Sequence, residues 1–492
     1  MLQIQHLTIT HTRDLRTLVA DFSLVLQDTD RVAIIGEEGN GKSTLLKLIA
    51  LGDLDYAEWT GQIHRGGAKL GYLAQELTGE ELAKPAGQWW DPALAGRLGL
   101  TLDPAGLQRP MGQLSGGERV KLRLAHLLSQ QPDILLLDEP TNDLDLDTLQ
   151  WLEEFLLTCG LPVMYVSHDE TLIRRTANVI VHLEALRRKT VPRATVARMP
   201  YDAYVQARQA KFAHQAKVSR SEHEAFRQQM ERYRKIRDKV EHQQATISRQ
   251  DPHGGRLLKK KMHAVQSMGR RFQREKEKLT QMPEMEEAIF LRFPASATIP
   301  QGKTVLDFRL DTLQVGQRVL ARDLTLKVTG PERIGIIGPN GCGKTRLLGT
   351  MAVGLLVRRD IRAAYMPQDY GLPPDKTPVE FLNRSGSRAE ATAIRNYLGS
   401  LRFTTLEMER PAGALSGGQK AKLLLLGMVL AEANVLVLDE PTRNLSPLSG
   451  PVLRQVLAEF GGAVISVSHD RAYLAEVCRK IYLLTPQGLV LL

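Results

Sequence analysis

Four short motifs occur in one order along this chain and then occur again, at an almost constant interval. Gly36-Glu37-Glu38-Gly39-Asn40-Gly41-Lys42-Ser43 is answered by Gly338-Pro339-Asn340-Gly341-Cys342-Gly343-Lys344-Thr345. Leu114-Ser115-Gly116-Gly117-Glu118 is answered by Leu415-Ser416-Gly417-Gly418-Gln419. Leu137-Asp138-Glu139-Pro140-Thr141 returns as Leu438-Asp439-Glu440-Pro441-Thr442, and Ser167-His168-Asp169 as Ser468-His469-Asp470. The intervals are 302, 301, 301 and 301 residues. Chance matches would scatter, so a constant offset means two copies of one domain.

Each copy reads as α/β. Short apolar runs such as Val32–Ile35, Ile134–Leu137 and Val163–Val166 have the length of buried strands and alternate with helix-like stretches. The glycine-rich loop follows a strand and opens a helix, the context in which its backbone N–H groups can close around a phosphate chain. Lys42 and Lys344 then supply a point charge to the phosphates, and Ser43 and Thr345 a hydroxyl to Mg²⁺. Asp138 and Asp439 end apolar strands and are placed to hold the metal through water. Glu139 and Glu440, one residue on, are placed to orient or deprotonate a water. His168 and His469 can reach the terminal phosphate; repeated in this setting, they read as functional groups rather than core or surface histidines.

Between the copies lies a basic, heptad-patterned insert. Val205, Phe212, Ser219, Phe226, Tyr233 and Val240 recur every seven residues, with Ala216 and Met230 on the partner seam positions. After a turn-rich stretch at 249–255, Leu258, Met262, Val265, Phe272 and Leu279 form a second seam. The pattern predicts an antiparallel helical hairpin whose second arm is about 40 Å long and whose first arm is longer. Residues 187–292 hold 26 Lys and Arg against 12 Asp and Glu, a surplus of 14, whereas the whole chain carries +10. The rest is therefore about −4, and all the excess positive charge sits on the insert. A solvated coiled coil would explain heptads with charged flanks. Charge confined to one long projection points instead to a polyanion such as RNA. Aromatic residues make up only 5% of the chain, which favours backbone-directed contacts over base stacking.

A length of 492 residues allows two or three domains. The three cysteines, Cys159, Cys342 and Cys478, are far apart without metal-ligand spacing, which predicts a reducing cytoplasm. The N-terminal residues lack the pattern of a signal peptide, and the longest apolar run, Leu423–Ala431, is too short to cross a bilayer.

Together the phosphate loops, Ser-Gly-Gly signatures, Asp-Glu pairs and histidines resemble ATP-binding cassettes. Two cassettes joined by a basic helical linker, with Leu-Ser-Gly-Gly-Glu in the first and Leu-Ser-Gly-Gly-Gln in the second, resemble the ABC-F subfamily. The resemblance implies an α/β fold of two P-loop NTPase domains (1–190 and 296–492) joined by a long basic α-helical hairpin (191–295). Gln75 and Gln368 match the family's Q-loops and would join Ser43, Asp138, Thr345 and Asp439 around two Mg²⁺ ions. Two ATP molecules would sit between head-to-tail lobes. One would pair Lys42, Gln75, Asp138, Glu139 and His168 with Ser416-Gly417-Gly418. The other would pair Lys344, Gln368, Asp439, Glu440 and His469 with Ser115-Gly116-Gly117. The implied activity is ATP hydrolysis by a monomer that binds the ribosome at its exit-site region. The linker would reach rRNA and peptidyl-tRNA near the peptidyl transferase centre. Antibiotic protection and housekeeping rescue of stalled ribosomes are both known in the family. Arg249, His253, Arg256, Lys259, Lys260 and Lys261 at the tip are the candidates for RNA contact.

Three departures qualify the match. Ser446 replaces an acid usual in the crossing loop, where the first copy has Asp145, so the two sites are expected to hydrolyse at different rates. Glu37 and Glu38 set two carboxylates beside the first phosphate loop and are expected to face solvent. No aromatic stands at the adenine-stacking position: His11 takes that place in the first copy and Val315 in the second. Only 40 residues separate Gln75 from Ser115, and the chain ends soon after the second histidine. Both features suit the compact members of the subfamily. A transporter's ATPase subunit would give no reason for a basic linker. In chromosome-associated ATPases the coiled coil interrupts one cassette rather than joining two.

Overall fold

The structure is a computed structural model that describes residues 1–142, 144–186, 190–246, 252–283 and 291–492, with the side chains of 252–255 left aside. Asp143, Arg249 and the side chain of His253 therefore lie outside the described residues. The chain divides into two compact units: Met1–Tyr201 with Glu286–Leu492, and Asp202–Met285.

The first unit contains both cassette lobes. In the first lobe a six-stranded sheet runs in the order Leu70–Leu73, Ile134–Asp138, Val163–Val166, Arg31–Ile35, Val179–Ala185, Val191–Ala197. The neighbours are parallel except for the last pair. The central strands are buried along their length because helices cover both faces, which is why they read as continuous apolar runs. The second lobe repeats this order with Ala363–Met366, Val435–Asp439, Ala463–Val467, Arg333–Ile337, Lys480–Thr485 and Gly488–Leu491. A smaller antiparallel sheet, Leu2–His11 between Thr17–Leu26 and Ala57–His64, packs on the first lobe. The pair Thr304–Val315 and Arg318–Thr329 does so on the second.

The lobe borders differ from 190 and 296. Val191–Ala197 closes the first sheet as an antiparallel edge strand, and its alternation of exposed and half-buried positions gives no apolar run to recognise. Leu291 already belongs to the second lobe's core.

The second unit is the hairpin. Its first arm, Tyr201–Thr246, has 46 residues and its second, Pro252–Lys278, has 27, or about 69 and 40 Å of helix. The heptad seams meet as expected. The Phe272 ring lies edge-on to Phe226 and Tyr233, with centroids 6.3 and 5.5 Å away, and Val240 and Val265 are buried. Ser219, a polar residue on an apolar seam, is fully buried and donates to the carbonyl of Thr280 at 2.8 Å. Glu222 accepts the Thr280 N–H at 2.7 Å and Gln215 donates to the Gln281 carbonyl, so the first arm ties down the end of the second. The excess of the first arm is the stretch before Gln215.

Candidate active sites

Each phosphate loop runs from the central strand of its sheet into a helix, Lys42–Leu51 or Lys344–Leu356. Gly41 and Gly343 cap those helices at φ 84° and 100°, in the left-handed region that glycine enters without strain. Gly36 sits so close to the next strand that a Cβ would lie 2.1 Å from the carbonyl oxygen of Leu183. The signature motifs form capping boxes. Ser115 and Ser416 accept from the N–H three residues on, and Glu118 and Gln419 accept from the serine N–H in return. Glu139 and Glu440 hold φ of 48° and 49°, strained values for a side chain with a Cβ.

At the first site Ser43 Oγ donates to Asp138 Oδ1 at 2.8 Å and Tyr72 Oη to Oδ2 at 3.3 Å. Burial pushes the Asp138 carboxyl up, although the Ser43 hydrogen bond opposes it. His168 Nε2 lies 3.0 Å from Glu139 Oε1, and its Nδ1 is 2.8 Å from the carbonyl oxygen of Leu445 in the other lobe. Burial alone would raise Glu139. The His168 charge and hydrogen bond and the charge of Lys42 outweigh it and hold the carboxyl below its ordinary value. Lys42 Nζ donates to the carbonyls of Gly36 and Glu37 at 2.9 and 3.2 Å.

The expectation that Glu37 and Glu38 face solvent fails for Glu37, whereas Glu38 is exposed. Glu37, its side chain 12% exposed, accepts from Ser446 Oγ at 2.8 Å and from Ser449 Oγ, and faces Lys422 Nζ at 3.4 Å. All three partners belong to the second lobe. Burial opposes the Glu37 charge, but Lys422 and the two serines hold the carboxyl below its ordinary value. Glu38 Oε2 accepts the N–H of Gly418 in the second signature at 2.8 Å. Both carboxylates thus bridge to the opposing lobe. Ser446, which replaces an acid, is the residue that leaves room for Glu37.

The second site surrounds a cavity of about 880 Å³ lined by Asn340, Gly341, Gly343, Lys344, Thr345, Gln368, Asp439, Glu440 and His469. From the first lobe it takes Asn142, Leu144 and His168, and Val315 lies on its wall. Ser115, Gly116 and Gly117 do not line it. Lys344 Nζ donates to the Gly338 and Pro339 carbonyls at 2.8 and 2.9 Å, as Lys42 does in its own loop. Thr345 Oγ1 is 3.4 Å from Gln368 Oε1. Gln75, its counterpart, is exposed. Burial raises Asp439 to about 6 and Glu440 to about 8. His469 is lowered to about 4, first by burial and then by the Lys344 charge, and stands 3.7 Å from Glu440.

A magnesium nucleotide fits this chemistry. Glu440 Oε1 and His469 Nδ1 are buried without a hydrogen-bond partner, as is Glu139 Oε2, so polar groups already point where water and phosphate would complete them. Cys342 lies inside the second loop beside Lys344, and Pro339 precedes Asn340 at the wall of a further cavity. Tyr72, Lys422 and Ser449 escaped the sequence reading. A signal for the first existed, since Tyr72 and Tyr365 stand at matching places before the two glutamines.

Two parallel-sheet lobes, each with a phosphate loop and a signature helix, define a tandem ATP-binding-cassette protein. A family model described as ABC transporter matches residues 19–142 and 321–443. Ribosome protection protein VmlR of Bacillus subtilis (strain 168) is 31% identical over 487 residues, 96% of this chain and 85% of its own length. ATP-binding protein Uup of Caulobacter vibrioides is 29% identical, covering 94% of this chain and 74% of its own. The chain belongs to the ABC-F subfamily of ATP-binding-cassette proteins. The archaeal ribosome recycling factor aABCE1, solved in complex with ribosomal stalk protein aP1, shares the fold with a TM-score of 0.61 at 16% identity. That match covers 97% of this chain and 87% of the solved one.

Proposed function

We propose that this protein is a cytoplasmic ATPase that binds the ribosome when two Mg·ATP molecules draw its lobes together, and leaves when they are hydrolysed. The closed form directs the hairpin at peptidyl-tRNA and the rRNA of the peptidyl transferase centre, entering by the exit site. Protection of the ribosome from an antibiotic is the role we favour over housekeeping rescue of stalled ribosomes, because the similarity to VmlR spans almost the whole chain. The observation that carries the reading is a basic hairpin between two complete cassettes: residues 201–278 hold 20 Lys and Arg against 9 Asp and Glu.

The geometry supports a role for each site residue. With a nucleotide bound, Lys42 and Lys344 would turn from their loop carbonyls to the phosphates, Ser43 and Thr345 with Asp138 and Asp439 would hold Mg²⁺, and Glu139 and Glu440, once ionised, would accept a proton from water. His168 and His469 orient those glutamates against the terminal phosphate. The signature residues Ser416-Gly417-Gly418 and Ser115-Gly116-Gly117 contact it from the opposing lobe. The nucleotide supplies the phosphoryl group and Mg²⁺ offsets its charge.

The test is co-sedimentation of the Glu139→Gln, Glu440→Gln protein with ribosomes and ATP, with and without residues 200–282. ATP- and hairpin-dependent binding is the expected result. Capture of DNA or membranes in place of ribosomes would reject the reading.

A further inference from the structure

At one side of the second site's cavity, whose wall includes Glu170 and Arg454, three positions of each lobe meet across the pseudo-two-fold axis that relates the repeats. In the first lobe they are Glu153, on helix Leu146–Thr158, and Glu170 and Arg175, at helix Glu170–Thr176. Adding the repeat interval of 301 gives Arg454, on helix Gly450–Ala458, and Arg471 and Glu476, on helix Arg471–Val477. At all three positions the charge is inverted between the copies.

The contacts are symmetry mates of one another. Arg454 Nη2 donates to Glu170 Oε2 at 2.7 Å, and Arg471 Nη2 donates to Glu153 Oε1. Each inner residue is also held within its own lobe. Arg175 Nη1 donates to Glu153 Oε2 at 2.8 Å and Arg454 Nε to Glu476 Oε2 at 2.8 Å. Arg174 adds a bond to Glu170 at 2.7 Å; its counterpart is the neutral Ala475. Glu153, Glu170 and Arg454 are almost wholly buried, with side chains 4%, 8% and 3% exposed. Asp169 and Asp470 are acidic in both lobes and so do not distinguish them.

Duplicated lobes of one fold present the same face to each other, so a copy could pair with its like in another chain as readily as with its partner in its own. We propose that this charge-inverted cluster selects the pairing, letting the first lobe close on the second and refusing contact between like lobes. Two first lobes would bury Glu153 against Glu170 twice, and two second lobes Arg454 against Arg471. Buried like charges are strongly unfavourable, whereas opposite charges at good geometry are tolerated. The linker raises the local concentration of the matching lobe to roughly millimolar, so the match is made within one chain. This deepens the proposed function, because only first-to-second pairing assembles the two composite sites, but it stands on the ion pairs alone.

The test uses the full chain without nucleotide or ribosomes, so its outcome is independent of the ATPase and ribosome readings. Glu153→Arg, Glu170→Arg and Arg175→Glu together give both lobes the basic pattern. Arg454→Glu, Arg471→Glu and Glu476→Arg give both the acidic one. Sedimentation velocity at low salt, with hydrogen exchange of helices 170–176 and 471–477, is the measurement. Each triple variant should sediment more slowly than the parent, with interface amides exchanging on the order of a hundredfold faster. An equimolar mixture of the two should form a 1:1 dimer. The six-fold variant, which inverts every charge but keeps every pair, should regain the parent's behaviour. Parent-like closure of either triple variant overturns the proposal. So does a six-fold variant as open as the triples, folded or not, since the charge pattern would then be insufficient.

Discussion

Glu139 and Glu440 occupy equivalent places with the same strained backbone, yet their surroundings drive their carboxyls in opposite directions. The difference is a matter of reach: His168 is 3.0 Å from Glu139, while His469 is 3.7 Å from Glu440 and is itself held neutral by burial. Burial in the folded chain favours a proton on Glu440 that the unfolded chain, at an ordinary value of 4.5, has already lost. Its contribution to stability therefore falls as pH rises from about 4.5 to about 8. Glu440→Gln should remove that penalty and stabilise the protein at pH 8, with parity near pH 4.5. Glu139 has the opposite sign: its stabilising contribution is present above the ordinary carboxylate value and is lost as pH falls. Glu139→Gln should therefore lower the melting temperature at pH 7, with a smaller deficit in acid. Calorimetry across pH decides both, and parallel curves for the two variants would contradict the assignment. At the same scale, Ser446→Asp would set a second carboxylate against Glu37 in a site where Ser446 is 1% exposed. It should weaken lobe closure, and adding Glu37→Gln should rescue it; hydrogen exchange at 446–450 reads this out.

At the level of elements, what the sequence made legible was whatever repeats with a period. The buried strands stood out as apolar runs, the signatures as a repeated motif, and the hairpin as two heptad seams that meet at Phe226, Tyr233 and Phe272. Contacts that depend on which face meets which were not legible. Ser219 looked like a flaw in a seam until its partner, the Thr280 carbonyl, was in place. Glu37 looked like a surface acid because Lys422, Ser446 and Ser449 lie about 400 residues away. The edge strand Val191–Ala197 was lost to the linker because it is half-exposed and carries no apolar run. The hairpin packs closely at Gly269, where a Cβ would lie 2.6 Å from Tyr233 Oη. Gly269→Leu should destabilise the hairpin by about 1–3 kcal/mol through overpacking, read as a lower helix-melting temperature. Unchanged melting would mean that the arms can separate there at no cost. Arg256, Lys259, Lys260 and Lys261 are exposed along the start of the second arm. Replacing the three lysines by Glu should reduce ribosome affinity by at least tenfold and flatten its salt dependence. Unchanged binding at raised salt would leave the run a solvated face.

Across the whole molecule the two composite sites are not equivalent. The second opens onto a cavity of about 880 Å³, whereas at the first the Glu38 carboxylate already accepts the Gly418 N–H at the start of the signature helix. That N–H, at the positive end of the helix dipole, is where a terminal phosphate would bind, so a nucleotide entering the first site must displace a protein carboxylate. Glu37 bridges the two lobes beside it. The order of filling follows: the second site takes ATP first, and the first site takes it only once Glu38 is dislodged. With the second site disabled by Lys344→Ala, removing the competitor with Glu38→Ala should tighten nucleotide binding at the first site by about three- to tenfold. That corresponds to one charge-assisted hydrogen bond of modest net worth. The same substitution should leave affinity unaltered when Lys42→Ala confines binding to the second site. Titration of a fluorescent ATP analogue into both double variants measures this. Equal affinities with and without Glu38 in the Lys344→Ala background would show that its carboxylate yields at no cost, and the two sites would then fill independently.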